Sequence, residues 1–255
     1  MSGNSSCGKI LCRPLGAVAF VALLTGPVAA NSNHTCTVGF VPNWGEQVRY
    51  EDGKPTGPLV DASGEILNRA GIAFTFPPVA STSRLVRDFA EGKVDILVAM
   101  DGMVPVDASD IQSEAFLEEY LVTIMAEGKR GTGTVAVSPT VSHLLAATHS
   151  VTPPHELMVE SLPRRARLLA DGNAVAVRDA LSNMLGLQFH VGADSHLVID
   201  RLLSTVPIRF FFNHFTQCDY QIGDINLSID TWHFEGGMVR LRNASWAKAI
   251  KGENH

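Results

Sequence analysis

The chain has 255 residues, with 20 Lys and Arg against 26 Asp and Glu, a formal net charge of −6 and 45% hydrophobic residues. No basic stripe runs through it, so the sequence argues against binding to nucleic acid. The length suits one larger α/β domain or two smaller lobes.

The first thirty residues have the pattern of a secretory signal peptide. Lys9 and Arg13 precede a short apolar run over residues 15–24, and small residues at 28–30 offer a cleavage site. The apolar run is too short to cross a bilayer as a helix. Removal of this segment changes the net charge from −6 to −8. The sequence therefore predicts a periplasmic, soluble protein.

The stretch from residue 36 to residue 100 predicts two consecutive βαβ units. Strands are expected at 36–41, 72–76 and 94–100, and helices at 59–70 and from Ser81 to 91, with a hairpin around Asp52-Gly53. The last strand is almost wholly apolar, as is typical of a parallel strand that is covered on both faces. Ligands of such sheets bind beyond the carboxyl ends of the strands.

A second α/β series follows a polar, glycine-rich break at residues 128–133. It predicts strands at 134–137, 156–159 and 174–177, helices at 140–147 and 161–171, and a helix through 185 after Asp179. A strongly apolar strand at 206–212 and helices at about 220–234 and 239–250 complete the chain. We therefore predict a first lobe over 31–127, a second over 128–186 and a return segment over 187–255.

Two cysteines remain after removal of the predicted signal, Cys36 and Cys218. An oxidising compartment permits a disulfide between them, but spacing alone leaves the pairing open. The spacing of cysteines and histidines matches no metal motif, and no glycine-rich phosphate loop or serine-hydrolase elbow is present. The sequence predicts no cofactor.

Several segments resemble the type II periplasmic solute-binding proteins of ABC importers, in the polar amino-acid group known as family 3. The similar segments are residues 38–44, 52–61, 67–71, 89–96, 133–137 and 168–179. The resemblance implies a monomer of two α/β lobes, each a small, open, mostly parallel sheet flanked by helices, that close around a small solute and present it to a membrane permease. It also places Cys36 and Cys218 in the same lobe.

The chain departs from that family where the ligand carboxylate is normally held. Members of the group carry an arginine about a dozen residues after the position of Asp95, whereas this chain has no Arg or Lys between Lys93 and Lys129. A bidentate clamp for an α-carboxylate is therefore missing. This departure favours a cationic or neutral solute, or a domain that has lost its solute.

The resemblance and the strand ends together point to five candidate ligand-binding residues. Trp44 would stack on the solute, Asp179 would pair with a cationic group, Asp101 and Gly102 would lie at the cleft edge, and Thr140 would begin a helix suited to an anion or a hydroxyl. Each has an alternative: Trp44 as loop packing, Asp101 as a solvated turn carboxylate, and Asp179 and Thr140 as helix caps.

The sequence therefore predicts a periplasmic binding protein that performs no chemistry. Two alternatives remain open. One is an accessory or sensory module that kept the lobes without a transport role, and the other is a dehydratase-type enzyme on the same scaffold, which would need a titratable pair across the cleft.

Overall fold

The computed structural model describes residues 35–41, 44–78, 81–105, 107–109, 111–129, 131–147, 155–193, 195–218 and 221–251. The predicted signal peptide lies outside these residues. The strands are β1 (Cys36–Phe40), β2 (Arg49–Glu51), β3 (Lys54–Thr56), β4 (Phe74–Thr75), β5 (Ile96–Met100), β6 (Ile111–Gln112), β7 (Leu117–Ala126), β8 (Val135–Val137), β9 (Glu156–Met158), β10 (Ala176–Ala180) and β11 (Leu197–Phe212). The α-helices are α1 (Pro58–Arg69), α2 (Thr82–Ala90), α3 (Pro139–Ala147), α4 (Leu162–Ala170), α5 (Met184–Val191), α6 (Ile222–Phe234) and α7 (Gly237–Lys251).

The first α/β series forms around β1, which pairs in parallel with β4 on one side and β5 on the other. All five residues of β5 are buried, as its apolar sequence predicts. Ser81 caps α2 by accepting a hydrogen bond from the backbone N–H of Arg84 at 3.3 Å, and the helix buries Leu85 and Phe89. Local patterning therefore specifies this half of the fold.

The second series forms around β8, which pairs in parallel with β9 and β10. Ser161 caps α4 in the same way as Ser81 caps α2, and Pro163 occupies the first turn. Helix α4 packs on the sheet through Ala166 and Leu169. Apolar residues of α4, α5 and β10 form a second core, whereas Val137 and the buried residues of α3 belong to the larger core that contains Phe40.

Two long antiparallel strands, β7 and β11, connect the two series. The C-terminal part of β11 pairs with β5, its remaining length pairs with β7, and β7 also pairs with β10. Hydrogen bonding is therefore continuous along β4-β1-β5-β11-β7-β10-β8-β9, with β6 on β11. The predicted α/β class, with a mostly parallel sheet and flanking helices, is confirmed. The sequence predicted a separate open sheet for each lobe. The observed hydrogen bonding is instead continuous from one series to the other, because β7 and β11 lie between β5 and β10. The predicted lobe boundaries stay a prediction.

A disulfide joins Cys36 at the start of β1 to Cys218 after β11, with the two Cα atoms 6.4 Å apart. Both residues are buried. Asp95 supports the same connection, because its carboxylate accepts hydrogen bonds from the Thr37 N–H at 2.8 Å and the Thr216 hydroxyl at 2.9 Å. The chain after β11 is thus fixed to the first strand. Within the described part of the chain, no helix is both long enough and apolar enough to cross a membrane.

Candidate functional site

The loops that follow β1 and β10 meet where the two α/β series approach each other. A 3-10 turn at Gly45–Gln47 follows β1, and a second 3-10 turn at Leu181–Asn183 follows β10. Trp44, which precedes the first turn, is 3% exposed. Its indole Nε1 donates a hydrogen bond to Oε2 of Glu119, in β7, at 3.1 Å. We call the set Trp44, Gly45, Glu119, Ser182 and Asn183 the lobe junction.

Glu119 is the central polar group of the lobe junction. Its side chain is 5% exposed, and its Oε1 accepts hydrogen bonds from the backbone N–H groups of Tyr120 at 3.1 Å and Ser182 at 3.3 Å. Burial raises the pKa of the Glu119 carboxyl, and hydrogen bonds from Ser182, Trp44 and Tyr120 offset part of that rise. A carboxylate in such surroundings favours any ligand that brings a positive charge.

Asn183 adds an acceptor to the junction. It is 6% exposed, and its Nδ2 donates to Oδ1 of Asp179 at 2.8 Å. Its own Oδ1 accepts no hydrogen bond from the described residues. This oxygen faces Gly45, where the backbone has φ +56° and where a Cβ atom would overlap it. The close approach of the two turns therefore requires glycine at position 45 for both conformation and space.

Asp179, which the sequence predicts to hold a cation, is fully engaged with the protein. It is completely buried, and its Oδ2 lies 2.9 Å from Nε and 2.7 Å from Nη2 of Arg165. Oδ1 accepts from Asn183 and from the Ala180 N–H at 2.9 Å. Arg165 in turn donates to the carbonyl oxygens of Val159 and Glu160. A solute cation would have to compete with this arginine, so the role of Asp179 as a ligand stays a prediction.

Asp101 is also paired within the protein. Nε of Arg209, in β11, lies 3.0 and 3.2 Å from its two carboxylate oxygens, and the Arg209 Nη1 donates to the Ser113 carbonyl at 3.0 Å. About a third of the Asp101 side chain remains exposed, 35%. Arg209 is thus a cation beside the end of β5, supplied by an antiparallel neighbour more than a hundred residues later in the chain.

Gly102 lies against α3, and Thr140 belongs to that helix. Gly102 has φ +85°, and a Cβ atom there would lie 3.2 Å from Cδ2 of Leu144, a buried residue of α3. Thr140 is half-buried in the first turn of α3, whose cap is instead Ser138: its hydroxyl accepts from the Val141 N–H at 3.1 Å. The roles of Gly102 and Thr140 in binding stay predictions.

The structure thus places Trp44 and Asp179 on either side of the Ser182–Asn183 turn: Trp44 bonds Glu119, which accepts from the Ser182 N–H, and Asn183 bonds Asp179. The sequence analysis did not single out Glu119, Asn183 or Arg209. Glu119 carried a usable signal, because it has the same strand parity as the buried Leu117 and Leu121. An acid on the apolar face of a strand is a candidate for a functional group.

The described residues contain no cluster of three or more His, Cys, Asp or Glu side chains that could hold a metal ion. The polar side-chain groups that the lobe junction offers include the Glu119 carboxylate, the Asn183 amide and the Trp44 indole. Such groups bind small molecules by charge pairing, hydrogen bonding and aromatic contact.

No protein-family model matches the chain, and no curated protein matches it. Solved structures do. A histidine kinase sensor domain with similarity to periplasmic binding proteins is 14% identical, with TM-score 0.64 over 82% of this chain and 95% of the other. The arginine-, lysine-, histidine-binding protein ArtJ from Geobacillus stearothermophilus is also 14% identical, with TM-score 0.60 over 82% and 94%. The VFT2 domain of Bordetella pertussis BvgS is 11% identical, with TM-score 0.66 over 83% and 94%. These identities establish the fold alone: the chain has the type II periplasmic-binding-protein fold.

Proposed function

We propose that this protein is an extracytoplasmic binding protein that captures a small cationic solute at the lobe junction and presents it to a membrane importer. One observation carries the proposal: the carboxylate of Glu119, 5% exposed, lies between the two α/β series and accepts a hydrogen bond from the Trp44 indole. The domain binds its solute without changing it.

The chemistry of the junction favours an amine. A carboxylate beside a tryptophan attracts ammonium and quaternary ammonium groups by charge and by the negative face of the ring. The Asn183 Oδ1, which accepts no hydrogen bond from the described residues, is an acceptor for an N–H of such a solute. When the lobes close, water leaves and each of these interactions becomes stronger.

The same chemistry disfavours a solute that depends on a carboxylate clamp. The sequence has no Arg or Lys between Lys93 and Lys129, and Arg209 is paired with Asp101. The arginine-, lysine-, histidine-binding protein ArtJ shares the fold, and this supports a ligand with a positive side group. We therefore place polyamines, quaternary amines and basic amino-acid derivatives ahead of acidic or neutral amino acids.

A ligand screen tests the proposal. Thermal unfolding of the purified protein would be followed with polyamines, quaternary amines, amino acids and organic acids, and titration calorimetry would then give the affinity of each hit. A ligand that binds only the native state raises the melting temperature at saturation. We expect shifts with amines and none with organic acids.

Two variants locate the site. Glu119→Gln removes the buried charge, and Glu118→Gln makes the same chemical change on the exposed face of β7. We expect the first to weaken binding at least about tenfold, or about 1.4 kcal/mol, and the second to leave affinity within about twofold. If no amine shifted the melting temperature, or if the two variants bound with equal affinity, the proposal would be overturned. Turnover of a hit would instead indicate an enzyme.

A sensory module is the second candidate, and a specific feature favours it. Asp179 and Asp101 are already paired with Arg165 and Arg209, so both carboxylates have a cationic partner without a solute. One of the structures with the same fold is a histidine kinase sensor domain. For this candidate we expect no shift with any solute and a phenotype in signalling rather than in uptake when the gene is deleted.

A further inference from the structure

The turns that follow β1 and β10 are in direct contact with each other. Gly45 lies against the Asn183 side chain, and a Cβ atom at position 45 would overlap the Asn183 Oδ1 and lie 3.3 Å from the Ser182 carbonyl oxygen. The space between the two turns is therefore smaller than one methyl group. A solute can enter between them only if they move apart.

A second contact between the two α/β series involves α3. Gly102 follows β5 of the first series, and a Cβ atom there would lie 3.2 Å from Cδ2 of Leu144, in α3 of the second series. Leu144 is 2% exposed, and with Val141 and Leu145 it belongs to the same apolar core as Trp44. This core therefore extends from one series into the other. Separation of the two series would expose its apolar surface to water, which is unfavourable.

The groups that would bind a solute are covered by these contacts. The Glu119 side chain is 5% exposed, and Trp44 is 3% exposed. Because protein interiors are close-packed, a polyamine or a basic amino acid cannot reach a carboxylate at this depth without displacing protein atoms. Access to the Glu119 carboxylate therefore requires the two turns to separate first.

We propose that the lobe junction is self-occluded: without solute, the contacts of Gly45 with Asn183 and of Gly102 with Leu144 hold the two α/β series together, and their separation precedes capture. The inference rests on the proposed function only in naming the lobe junction as the binding site. If the open form is about 1% of the molecules, the apparent affinity for solute is about 100-fold weaker than that of the open form. These contacts would then set the solute concentration at which the protein fills.

Thiol labelling of the solute-free protein, purified without the predicted signal peptide, tests the occlusion. The cysteines of this chain after residue 30 are Cys36 and Cys218, which form a disulfide. An introduced cysteine is therefore the only free thiol, and its reaction with N-ethylmaleimide, followed by mass spectrometry, measures how often its position becomes accessible. Thermal unfolding of each variant shows whether it folds.

Three positions are compared. Leu144→Cys probes the contact between the two series, Leu169→Cys probes the second core, and His143→Cys is an exposed reference on α3. We expect the labelling rates at positions 144 and 169 to be at least about 100-fold below the rate at position 143, because both buried positions need an opening of the native structure.

A substitution at Gly45 tests whether the turns hold the series together. Gly45→Ala adds a methyl group that overlaps Asn183, whereas Gly53→Ala adds one where no described atom lies within 4 Å. Both glycines have positive φ, so the backbone strain is matched. We expect Gly45→Ala to raise the labelling rate of Leu144→Cys at least about tenfold and to leave that of Leu169→Cys unchanged. Gly53→Ala should change neither rate.

The Trp44 indole provides a readout without an introduced cysteine. Its N–H donates to Glu119 at 3.1 Å, so its hydrogen exchange, measured by NMR, should be slow in the solute-free wild type and faster in Gly45→Ala. If Leu144→Cys fails to fold, this measurement decides the matter.

Three results would overturn the proposal. Labelling of Leu144→Cys as fast as His143→Cys, or fast exchange of the Trp44 indole N–H in the wild type, would show that the two series are apart without solute. Gly45→Ala that leaves Leu144→Cys protected, or that exposes Leu169→Cys equally, would show that the turns do not hold the series together. None of these measurements uses a solute, so a failure of the amine screen and a failure of the occlusion are distinguishable.

Discussion

Arg165→Ala should lower the free energy of unfolding by about 3–5 kcal/mol, because it leaves the Asp179 carboxylate buried without its cation. The magnitude follows from the geometry. Arg165 and Asp179 are 3% and 0% exposed, and two nitrogens of the guanidinium lie within 2.9 Å of one carboxylate oxygen. The same substitution also removes donors from the carbonyl oxygens of Val159 and Glu160. Each buried acceptor left without a donor adds about 1–3 kcal/mol to that cost.

Urea unfolding followed by circular dichroism measures this loss. Arg164→Ala is the matched control, since Arg164 is the exposed neighbour on the same helix and its removal should cost no more than about 0.5 kcal/mol. If Arg165→Ala cost under about 1 kcal/mol, as an exposed ion pair does, the pair would not be buried as the structure has it. The loss should also appear without any solute, which separates a structural role of Asp179 from a binding role.

Three further predictions concern the disulfide, the Glu119 carboxyl and the glycine at position 45. Replacing Cys36 and Cys218 by Ser should lower the free energy of unfolding by about 4–5 kcal/mol, because the bridge closes a separation of 182 residues, and reductant should lower the melting temperature of the wild type only. Burial raises the pKa of the Glu119 carboxyl, so as pH rises past the usual range of a glutamate the unfolded chain releases this proton first, and stability falls until the native carboxyl ionises as well. In urea unfolding, the stability of Glu119→Gln relative to the wild type should therefore increase as pH rises through that interval. Gly45→Ala should cost more than Gly53→Ala in thermal unfolding, because both have positive φ, 56° and 76°, but only the first meets a neighbouring side chain.

Each of these has a contradicting result. A melting temperature that reductant leaves unchanged would show that the bridge does not stabilise the native state. A Gln variant whose advantage shrinks as pH rises would mean that the carboxyl is not buried in the native protein. Equal losses at the two glycines, about 1–2 kcal/mol each for the left-handed backbone alone, would mean that the turns do not approach each other closely.

The sequence predicted the elements that depend on local pattern. The wholly buried β5 and the helix capped by Ser81 follow from an apolar run and from a capping residue, which act within a few residues. The predicted start of β11 was wrong: the sequence placed it at residue 206, and the observed strand begins at Leu197. Residues 197–205 contain Asp200 and two bulges, so they lack a strand pattern of their own. They are extended because β7 supplies the ladder.

The site was only partly predictable for a related reason. Their positions at strand ends led to the prediction that Asp101 and Asp179 bind the solute, and the structure places Asp101 just after β5 and Asp179 near the end of β10. Neither prediction could foresee the partners: Asp101 pairs with Arg209 at a sequence separation of 108, and Asp179 pairs with Arg165 of the preceding helix. Which cation reaches which carboxylate is decided by tertiary packing, and one sequence without its fold does not contain that information.

The pairing of these acids bears on how the protein would use its solute. In the structure, the Trp44 indole N–H and the Ser182 backbone N–H already donate hydrogen bonds to Glu119, so the lobe junction has favourable contacts before any ligand binds. A solute shifts the balance between open and closed forms only by the difference in its affinity for the two. An amine at Glu119 supplies that difference through charge, since the neutral N–H donors now present do not compensate a buried carboxylate as a cation does. The more hydrogen bonds Glu119 accepts from protein donors, the weaker the net affinity of the lobe junction for a solute. A carrier that must bind tightly therefore needs its solute to displace these donors, whereas a sensor can use the same self-bonded state as its resting signal.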